Sequence, residues 1–198
     1  MDKLFLLDAY AIIFRSYYAF INRPTINSKG LNTSAILGFC NTLKEITDKE
    51  QPLYLGVAFD EGKTFRHEAF PPYKAQRQAT PEDIKLAVPI IKEILNAMHI
   101  PILVSPGFEA DDVIGTIALQ AGKAGVETYM LTPDKDYGQL IRENVYMYRP
   151  RHGGGYDIIG EKQIEDKYGV ASAHQVIDLL ALMGDSADNY PGCPGVGE

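Results

Sequence analysis

Residues 127–136, with the sequence ETYMLTPDKD, decide the fold of this 198-residue chain because they join an apolar run to two acids. The near-continuous hydrophobicity of the run is typical of a strand that is buried on both faces. Such strands occur in parallel sheets with helices on both sides, and ligands bind where those strands end. Asp134 and Asp136 stand at that point. The stretch therefore predicts a parallel sheet whose chemistry lies at the carboxyl ends of its strands.

Other short apolar runs have the same character, and stretches with helical period separate them. We predict strands at 3–8, 53–59, 101–104, 127–132 and 145–148 and helices at 33–48, 81–98, 110–124 and 173–184. This alternation predicts an α/β fold with three α/β/α layers around a central, mainly parallel twisted sheet, in one core domain over residues 1–184. Pro89 lies inside one helical pattern, so we expect a kink there or two shorter helices.

The composition is that of an ordinary folded domain, with 45% hydrophobic and 23% charged residues. No charged segment leads into an apolar stretch of signal-peptide length, and no apolar run is long enough to cross a membrane. Cys40 and Cys193 lie far apart and outside any metal-binding spacing, so we expect them to be reduced thiols. These features predict a cytoplasmic protein that does not act at a membrane.

Nine acidic residues form five groups that follow predicted strands or flank predicted helices. The groups are Asp8; Asp60; Glu109, Asp111 and Asp112; Asp134 and Asp136; and Asp185 and Asp188. Each group alone is explained as well by helix capping or by a polar turn. Structural turns would be scattered over both edges of a sheet, whereas all five groups are predicted at one edge. We therefore expect them to form one site.

A site with nine carboxylates needs protons or cations, because each like-charged pair at about 4 Å costs on the order of 4 kcal/mol at an effective dielectric near 20. Ligands that are all oxygen favour Mg²⁺ or Mn²⁺, and the four histidines lack zinc-binding spacing. Two such ions form a clamp that hydrolyses phosphodiesters without a protein nucleophile. The net charge of −7 does not exclude nucleic acid, since setting the nine apart from the 26 acids leaves 17 against 19 basic residues.

A basic segment over residues 63–78 follows the second predicted strand. It carries Lys63, Arg66, Lys74 and Arg77 against a single acid, Glu68. Lys74 and Arg77 are three residues apart, so we expect them to share a helical face that holds a scissile phosphate beside the acidic edge. A solvated helix face explains the spacing equally well. The glycine-rich stretch RPRHGGGY at 149–156 lacks the context of a phosphate-binding loop and is predicted to form a flexible hairpin tip.

Four motifs, in this order, resemble the signatures of one family. They are AFDEGKTFRHEAFPPYKAQR at 58–77, FEADDVIGT at 108–116, TPDKDYGQL at 132–140 and LLALMGDSADNYPGCPGVGE at 179–198. Together they are similar to those of the 5′-to-3′ exonuclease domain of bacterial DNA polymerase I, in the flap endonuclease superfamily. The resemblance implies a PIN-like fold and two divalent ions, Mg²⁺ or Mn²⁺. It also implies removal of 5′ flaps or RNA primers from branched or nicked DNA in replication and repair.

The resemblance also implies roles for the acids. Asp8, Asp60, Glu109 and Asp111 would hold the first metal ion, whereas Asp111, Asp134, Asp136 and Asp185 would hold or surround the second. Asp112 and Asp188 would act on the ions through water. Lys74 and Arg77 match catalytic basic residues at the base of a helical arch, here about 63–80, and Lys63, Arg66, Gly195 and Gly197 would contact DNA.

Two departures from the family pattern stand out. The first strand ends Leu-Asp-Ala-Tyr where many relatives have Asp-Gly, and we expect little effect on metal binding because Asp8 is kept. Residues 185–198 are expected to begin a truncated helix-hairpin-helix, which in longer members grips duplex DNA, often with K⁺, and precedes a polymerase domain. We expect a monomer with its catalytic ligands complete.

Three other functions stay open from the residues alone. A PIN-type single-strand ribonuclease would share the acidic edge, and a truncated DNA-binding fragment with little activity would share the whole sequence. A phosphatase with Asp8 as its nucleophile is less consistent, because Tyr10 stands where a second acid is usual. The arch segment and the GDSADN motif favour the flap nuclease.

Overall fold

The computed structural model describes residues 2–197 and contains one six-stranded sheet. The strands are β1 (Lys3–Asp8), β2 (Tyr54–Ala58), β3 (Ile102–Leu103), β4 (Glu127–Leu131), β5 (Val145–Pro150) and β6 (Tyr156–Ile159). Their order is β3-β2-β1-β4-β5-β6, and every pairing is parallel except that of β5 with β6. The mainly parallel sheet predicted from the sequence is confirmed. The short antiparallel strand β6 was not predicted.

Seven α-helices cover the two faces of the sheet within residues 2–197. They are α1 (Ala9–Ala19), α2 (Ser34–Glu50), α3 (Phe65–Ala69), α4 (Glu82–Ala97), α5 (Ala110–Lys123), α6 (Glu161–Tyr168) and α7 (Val176–Met183). Alternate residues of β1 face different layers: Phe5 and Leu7 pack with α1, α2 and α4, and Leu4 and Leu6 pack with α5, α6 and α7. Two separate cores therefore give the predicted three-layer α/β/α architecture.

Two expectations about helices need correction. Pro89 lies within α4, which runs as one helix from Glu82 to Ala97, so the alternative of two shorter helices is wrong. The predicted helix at 173–184 begins with a 3-10 turn at Ala173–Gln175 before α7. Helices α1, α3 and α6 were not predicted. No helix of the described residues is long and apolar enough to span a membrane.

Strands β5 and β6 form a hairpin at the edge of the sheet. Arg149 pairs with Asp157 and Pro150 with Tyr156, which leaves residues 151–155 as its tip. Gly153, Gly154 and Gly155 have positive φ in this tip. The hairpin predicted for the glycine-rich stretch is confirmed.

Candidate metal centre

The carboxyl ends of three neighbouring strands carry acids. Asp8 is the last residue of β1, Asp60 follows the end of β2 and Asp134 follows the end of β4. Asp8 also begins α1, because its Oδ1 accepts a hydrogen bond from the backbone N–H of Ala11 at 3.1 Å. The chain thus passes from strand to helix without a turn and leaves Asp8 buried, 8% exposed, at the edge of the sheet.

The beginning of α5 brings a further acidic group to the same edge. Glu109 is the N-cap of α5, and its backbone N–H donates to Asp112 Oδ2 at 2.9 Å. The backbone N–H of Ala110 donates to Asp60 Oδ1 at 2.6 Å, which ties the helix to the end of β2. The positive end of the helix dipole therefore faces the acids at the sheet edge.

The last acidic group lies in the loop after α7. Asp185 and Tyr190 exchange two backbone hydrogen bonds of 2.8 Å, and Asp185 Oδ1 accepts from Ala187 N–H at 2.6 Å. Gly184 and Gly192 have positive φ, and their backbones pack directly against each other. This tight loop places Asp185 and Asp188 beside the other acids, so the five groups predicted to meet at one edge do so.

Four of the nine acids have a basic partner. The ion pairs are Lys74 with Glu109 (2.9 Å), Arg66 with Asp112 (2.7 Å), Lys135 with Asp185 (3.2 Å) and Arg77 with Asp188 (2.8 Å). Burial acts to raise the pKa of Asp112, but its hydrogen bonds to Arg66 and to the backbone of Glu109 hold that pKa below the usual range. Side chains of the protein thus already neutralise this part of the cluster.

The other five acids have no ion-pair partner in the part of the chain that the structure describes. They are Asp8, Asp60, Asp111, Asp134 and Asp136. Burial and the neighbouring Asp111 raise the pKa of Asp8 to about 7. Burial also raises the pKa of Asp111 and of Asp136 to about 6, together with the charge of Asp134. Negative charge is therefore left uncompensated in the centre of the cluster.

The uncompensated acids have the chemistry of a hard-metal site. All their donor atoms are oxygens, and Asp136 Oδ1 is buried without a hydrogen-bond partner. Within residues 2–197, no three His, Cys, Asp or Glu side chains converge closely enough to hold a metal ion as they stand. Ion pairs with Lys74, Arg66, Arg77 and Lys135 hold the outer acids instead.

The predicted arch segment differs from the expectation in its backbone. Apart from α3, residues 71–76 form turns, and Lys74 has φ +55°. The prediction that Lys74 and Arg77 share a helical face is therefore wrong, because turns replace the helix. Lys74 pairs with Glu109 at 2.9 Å and with Asp188 at 3.9 Å, and Arg77 pairs with Asp188 at 2.8 Å. Tyr73, in the same turns, is 9% exposed, and its hydroxyl donates to Glu109 Oε2 at 2.8 Å.

Of the other four residues predicted to contact DNA, Arg66 forms an ion pair with an acid of the cluster. Arg66 binds both oxygens of Asp112, at 2.7 and 2.8 Å. Lys63, Gly195 and Gly197 are exposed and free to meet a ligand.

Three residues near the acids were missed in the sequence. Lys135 lies between the acids of the DKD motif, so its position indicated that it belongs to the site but not that it pairs with Asp185 at 3.2 Å. Tyr137 donates to Asp111 Oδ1 at 2.7 Å, and Thr132 Oγ1 lies 3.3 Å from Asp8 Oδ2. Tyr137 and Thr132 lie inside the TPDKDYGQL motif, but their buried positions are typical of the core, so the motif did not indicate that their hydroxyl groups contact the acids.

Comparisons with known proteins agree with this arrangement. The chain is 40% identical over 198 residues to a 5′-3′ exonuclease of Aquifex aeolicus, which covers 100% of this chain and 66% of the relative. It is 39% identical over 199 residues to DNA polymerase I of Bacillus caldotenax, covering 99% of this chain and 22% of the relative. The chain thus spans less than two thirds of the length of these curated relatives.

The fold is shared with a solved structure of bacteriophage T5 flap endonuclease in a pseudo-enzyme-product complex with DNA and metal ions. The TM-score is 0.72 at 22% identity, over 99% of this chain and 71% of the other. Residues 3–169 match the family model described as the 5′-3′ exonuclease, N-terminal resolvase-like domain. The chain belongs to this 5′-3′ exonuclease family.

Proposed function

We propose that this chain is the catalytic domain of a metal-dependent 5′-to-3′ exonuclease and 5′-flap endonuclease that hydrolyses DNA or RNA-primer phosphodiesters. The observation that carries the proposal is the set of five carboxylates without basic partners at one sheet edge, in a chain of this family. The names of the relatives and of the T5 complex support a nuclease that acts on DNA with metal ions.

The proposed cofactors are two Mg²⁺ or Mn²⁺ ions. Asp8, Asp60, Glu109 and Asp111 would hold the first ion, and Asp111, Asp134, Asp136 and Asp185 the second, with Asp112 and Asp188 acting through water. When bound, such ions activate water and stabilise charge on the leaving oxygen. The contribution of the protein is to hold these carboxylates at one edge, where buried neighbours such as Thr132 limit their movement.

The basic residues beside the acids are proposed to bind the substrate backbone. Lys74 and Arg77 would leave Glu109 and Asp188 when metal ions neutralise those acids, and would then bind the scissile phosphate. Arg66 and the exposed Lys63 would hold the adjoining backbone of DNA. Their proposed partner is a flap, a nick or a primer end.

The proposed domain organisation has a core over residues 1–184, with the arch segment at about 63–80. Residues 185–198 would begin the duplex-binding helix-hairpin-helix, where Gly195 and Gly197 would contact the DNA backbone. Lys74 also ties the two regions together, because its backbone N–H donates to Asp188 O at 3.1 Å. Glu198 lies outside the described residues. A K⁺ ion and a polymerase domain would belong to longer forms, and the chain is proposed to act as a monomer.

The phosphatase alternative fits the geometry poorly. Asp8 is only 8% exposed, which leaves little room for an incoming phosphate ester, and Tyr10 stands where a second acid would be needed. A PIN-type ribonuclease would use the same acids. It would differ from the proposed nuclease in cutting single-stranded RNA rather than 5′-flap DNA.

The test is cleavage of an end-labelled 5′-flap DNA, with Mg²⁺ or Mn²⁺ against EDTA. Asp134→Asn should abolish cutting and keep the fold, because an amide oxygen can still accept the hydrogen bond from Asp136 N–H at 2.9 Å. Asp166→Asn, an exposed site on α6, is the matched control and should cut normally. Preference for single-stranded RNA would support the ribonuclease instead. Absence of metal-dependent cutting of either substrate would contradict the proposal.

A further inference from the structure

The ring of Tyr137 lies in the core beneath the acidic edge. Tyr137 follows the DKD motif in a 3-10 helix at Lys135–Leu140 and is 1% exposed. It belongs to the buried core cluster on the α5 side of the sheet, which also includes Met130 and Ile114. The phenol oxygen emerges from this apolar layer between β1 and the beginning of α5, where Asp8 and Asp111 lie.

The hydroxyl of Tyr137 binds one acid more closely than the other. It donates to Asp111 Oδ1 at 2.7 Å, whereas Asp8 Oδ2 lies at 3.5 Å. A hydroxyl has one hydrogen to donate, so Asp111 receives it. A length of 2.7 Å is that of a well-formed O–H···O hydrogen bond, and such a bond is strongest when the carboxylate that accepts it is ionised.

Asp111 differs from Asp60 and Asp134 in that its hydrogen-bond donor is a side chain rather than a backbone N–H. In residues 2–197, Tyr137 is the one hydrogen-bond donor to the Asp111 side chain, and no Lys or Arg binds it. The carboxylate is therefore oriented by a single contact through Oδ1. The other oxygen keeps its lone pairs for a cation.

We propose that Tyr137 is a positioning residue that fixes the orientation of Asp111 for metal binding. The inference rests on the proposed function, in which Asp111 is the ligand common to both ions. A partner that orients a metal-binding side chain commonly changes metal affinity by tenfold or more. Removal of the hydroxyl should therefore weaken binding of the first ion by about tenfold.

Tyr148 provides a matched control for the burial of a phenol. It is 7% exposed, and its hydroxyl donates to a carboxylate oxygen, Glu50 Oε1, at 2.8 Å. It packs in the core cluster on the other face of the sheet, away from the acids. Tyr148→Phe thus removes the same kind of hydrogen bond without touching the proposed centre.

The experiment measures Mn²⁺ binding by calorimetry to the full 198-residue chain and to Tyr137→Phe and Tyr148→Phe. Circular dichroism checks that each variant keeps its fold, which is expected because both rings remain. About tenfold weaker binding in Tyr137→Phe alone supports a positioning role. Equal affinity in all three overturns it. If the wild-type chain binds no Mn²⁺, the proposed function fails instead.

A double variant tests whether Tyr137 acts through Asp111. Addition of Tyr137→Phe to Asp111→Asn should cause no further loss of Mn²⁺ affinity, since the oriented carboxylate is already absent. A second loss of similar size would show that the hydroxyl acts elsewhere and would overturn the inference. The near-ultraviolet difference spectrum on Mn²⁺ addition gives a second readout: a tyrosine signal should disappear in Tyr137→Phe and remain in Tyr148→Phe.

Discussion

At the scale of single residues, the nine acids fall into two sets, according to whether a lysine or arginine neutralises their charge. Glu109, Asp112, Asp185 and Asp188 are held by lysine or arginine, whereas Asp8, Asp60, Asp111, Asp134 and Asp136 have no such partner among the residues described. The first set is stable without an added cation. The second set stores electrostatic repulsion that a bound cation would relieve.

Asp8→Asn should stabilise the chain in EDTA above neutral pH. The pKa of Asp8 rises from 3.8 to about 7 on folding, so the folded state binds the proton more tightly. The associated stability is complete below about pH 4 and is lost as pH rises through about 7, at a cost of up to about 4 kcal/mol. The amide can still cap α1.

Thermal unfolding measures this effect as a function of pH. The variant should unfold about 5 to 10 °C higher than wild type near pH 8, with no difference near pH 4. A variant that is less stable than wild type near pH 8 would show that ionised Asp8 does not strain the fold.

Lys74→Met should destabilise the chain in EDTA by about 2 to 4 kcal/mol, because Glu109 is only 5% exposed and would keep only the hydroxyl of Tyr73 and the more distant Arg66, at 3.8 Å, among the described residues. Loss of a phosphate contact should also lower the slope of DNA affinity against salt by about one. Lys85→Met, which removes an exposed pair with Glu82, should change neither quantity. Denaturant unfolding and salt-dependent flap binding measure both, and an unchanged slope would remove Lys74 from the DNA interface.

At the scale of elements, the loop after α7 depends on close approach of backbone. A Cβ on Gly184 would lie 2.6 Å from Gly192 N and from Tyr190 O, and Gly184 has φ +78°. Gly184→Ala should therefore destabilise the chain by about 2 kcal/mol or more and disturb the positions of Asp185 and Asp188.

Gly197→Ala is the control for the loop, because nothing lies within 4 Å of a Cβ at that position and its φ is not positive. Urea unfolding should separate the two variants. If Gly184→Ala and wild type unfold at the same urea concentration, the close approach of Gly184 and Gly192 does not contribute to the free energy of unfolding.

Helices could be predicted from the sequence where their amphipathic pattern was long, and strands where their apolar run was continuous. The five strands that carry or flank the acids have near-continuous apolar runs and were found within two residues at each end. Helix α1 was missed because it follows β1 without a turn, β6 because it has only four residues, and α6 because it is short and polar. Lys74, within the turns at 71–76, pairs with Glu109. This contact could not be predicted from neighbouring residues because the two lie far apart in the sequence.

At the scale of the whole molecule, binding of divalent metal should depend on pH because protons and metal compete for the same acids. Mg²⁺ should raise the unfolding temperature more near pH 8 than near pH 5, where Asp8, Asp111 and Asp136, with pKa values of about 7, 6 and 6, bind protons instead. Thermal scans with Mg²⁺ and with EDTA measure the difference. An equal shift at both pH values would place the bound ion away from these acids.

The acidic site as a whole was predictable because five weak signals agreed on one edge of one sheet. What could not be predicted was the choice of partners: which acids bind Lys74 or Arg66, and which receives the hydroxyl of Tyr137. Those contacts join residues far apart in sequence, such as Arg66 and Asp112, and follow from packing alone.

The acids of the proposed centre come from almost the whole length of the described chain, so they are synthesised at widely separated times. The five groups begin at Asp8 and end at Asp188, and the last of them is held in place by backbone contacts of a loop that closes only at Gly192. A copy still attached to the ribosome lacks that group until almost all of the described chain has emerged. The proposed centre therefore needs the chain as far as Gly192, and a nascent copy that is still shorter than this lacks one of its five acidic groups.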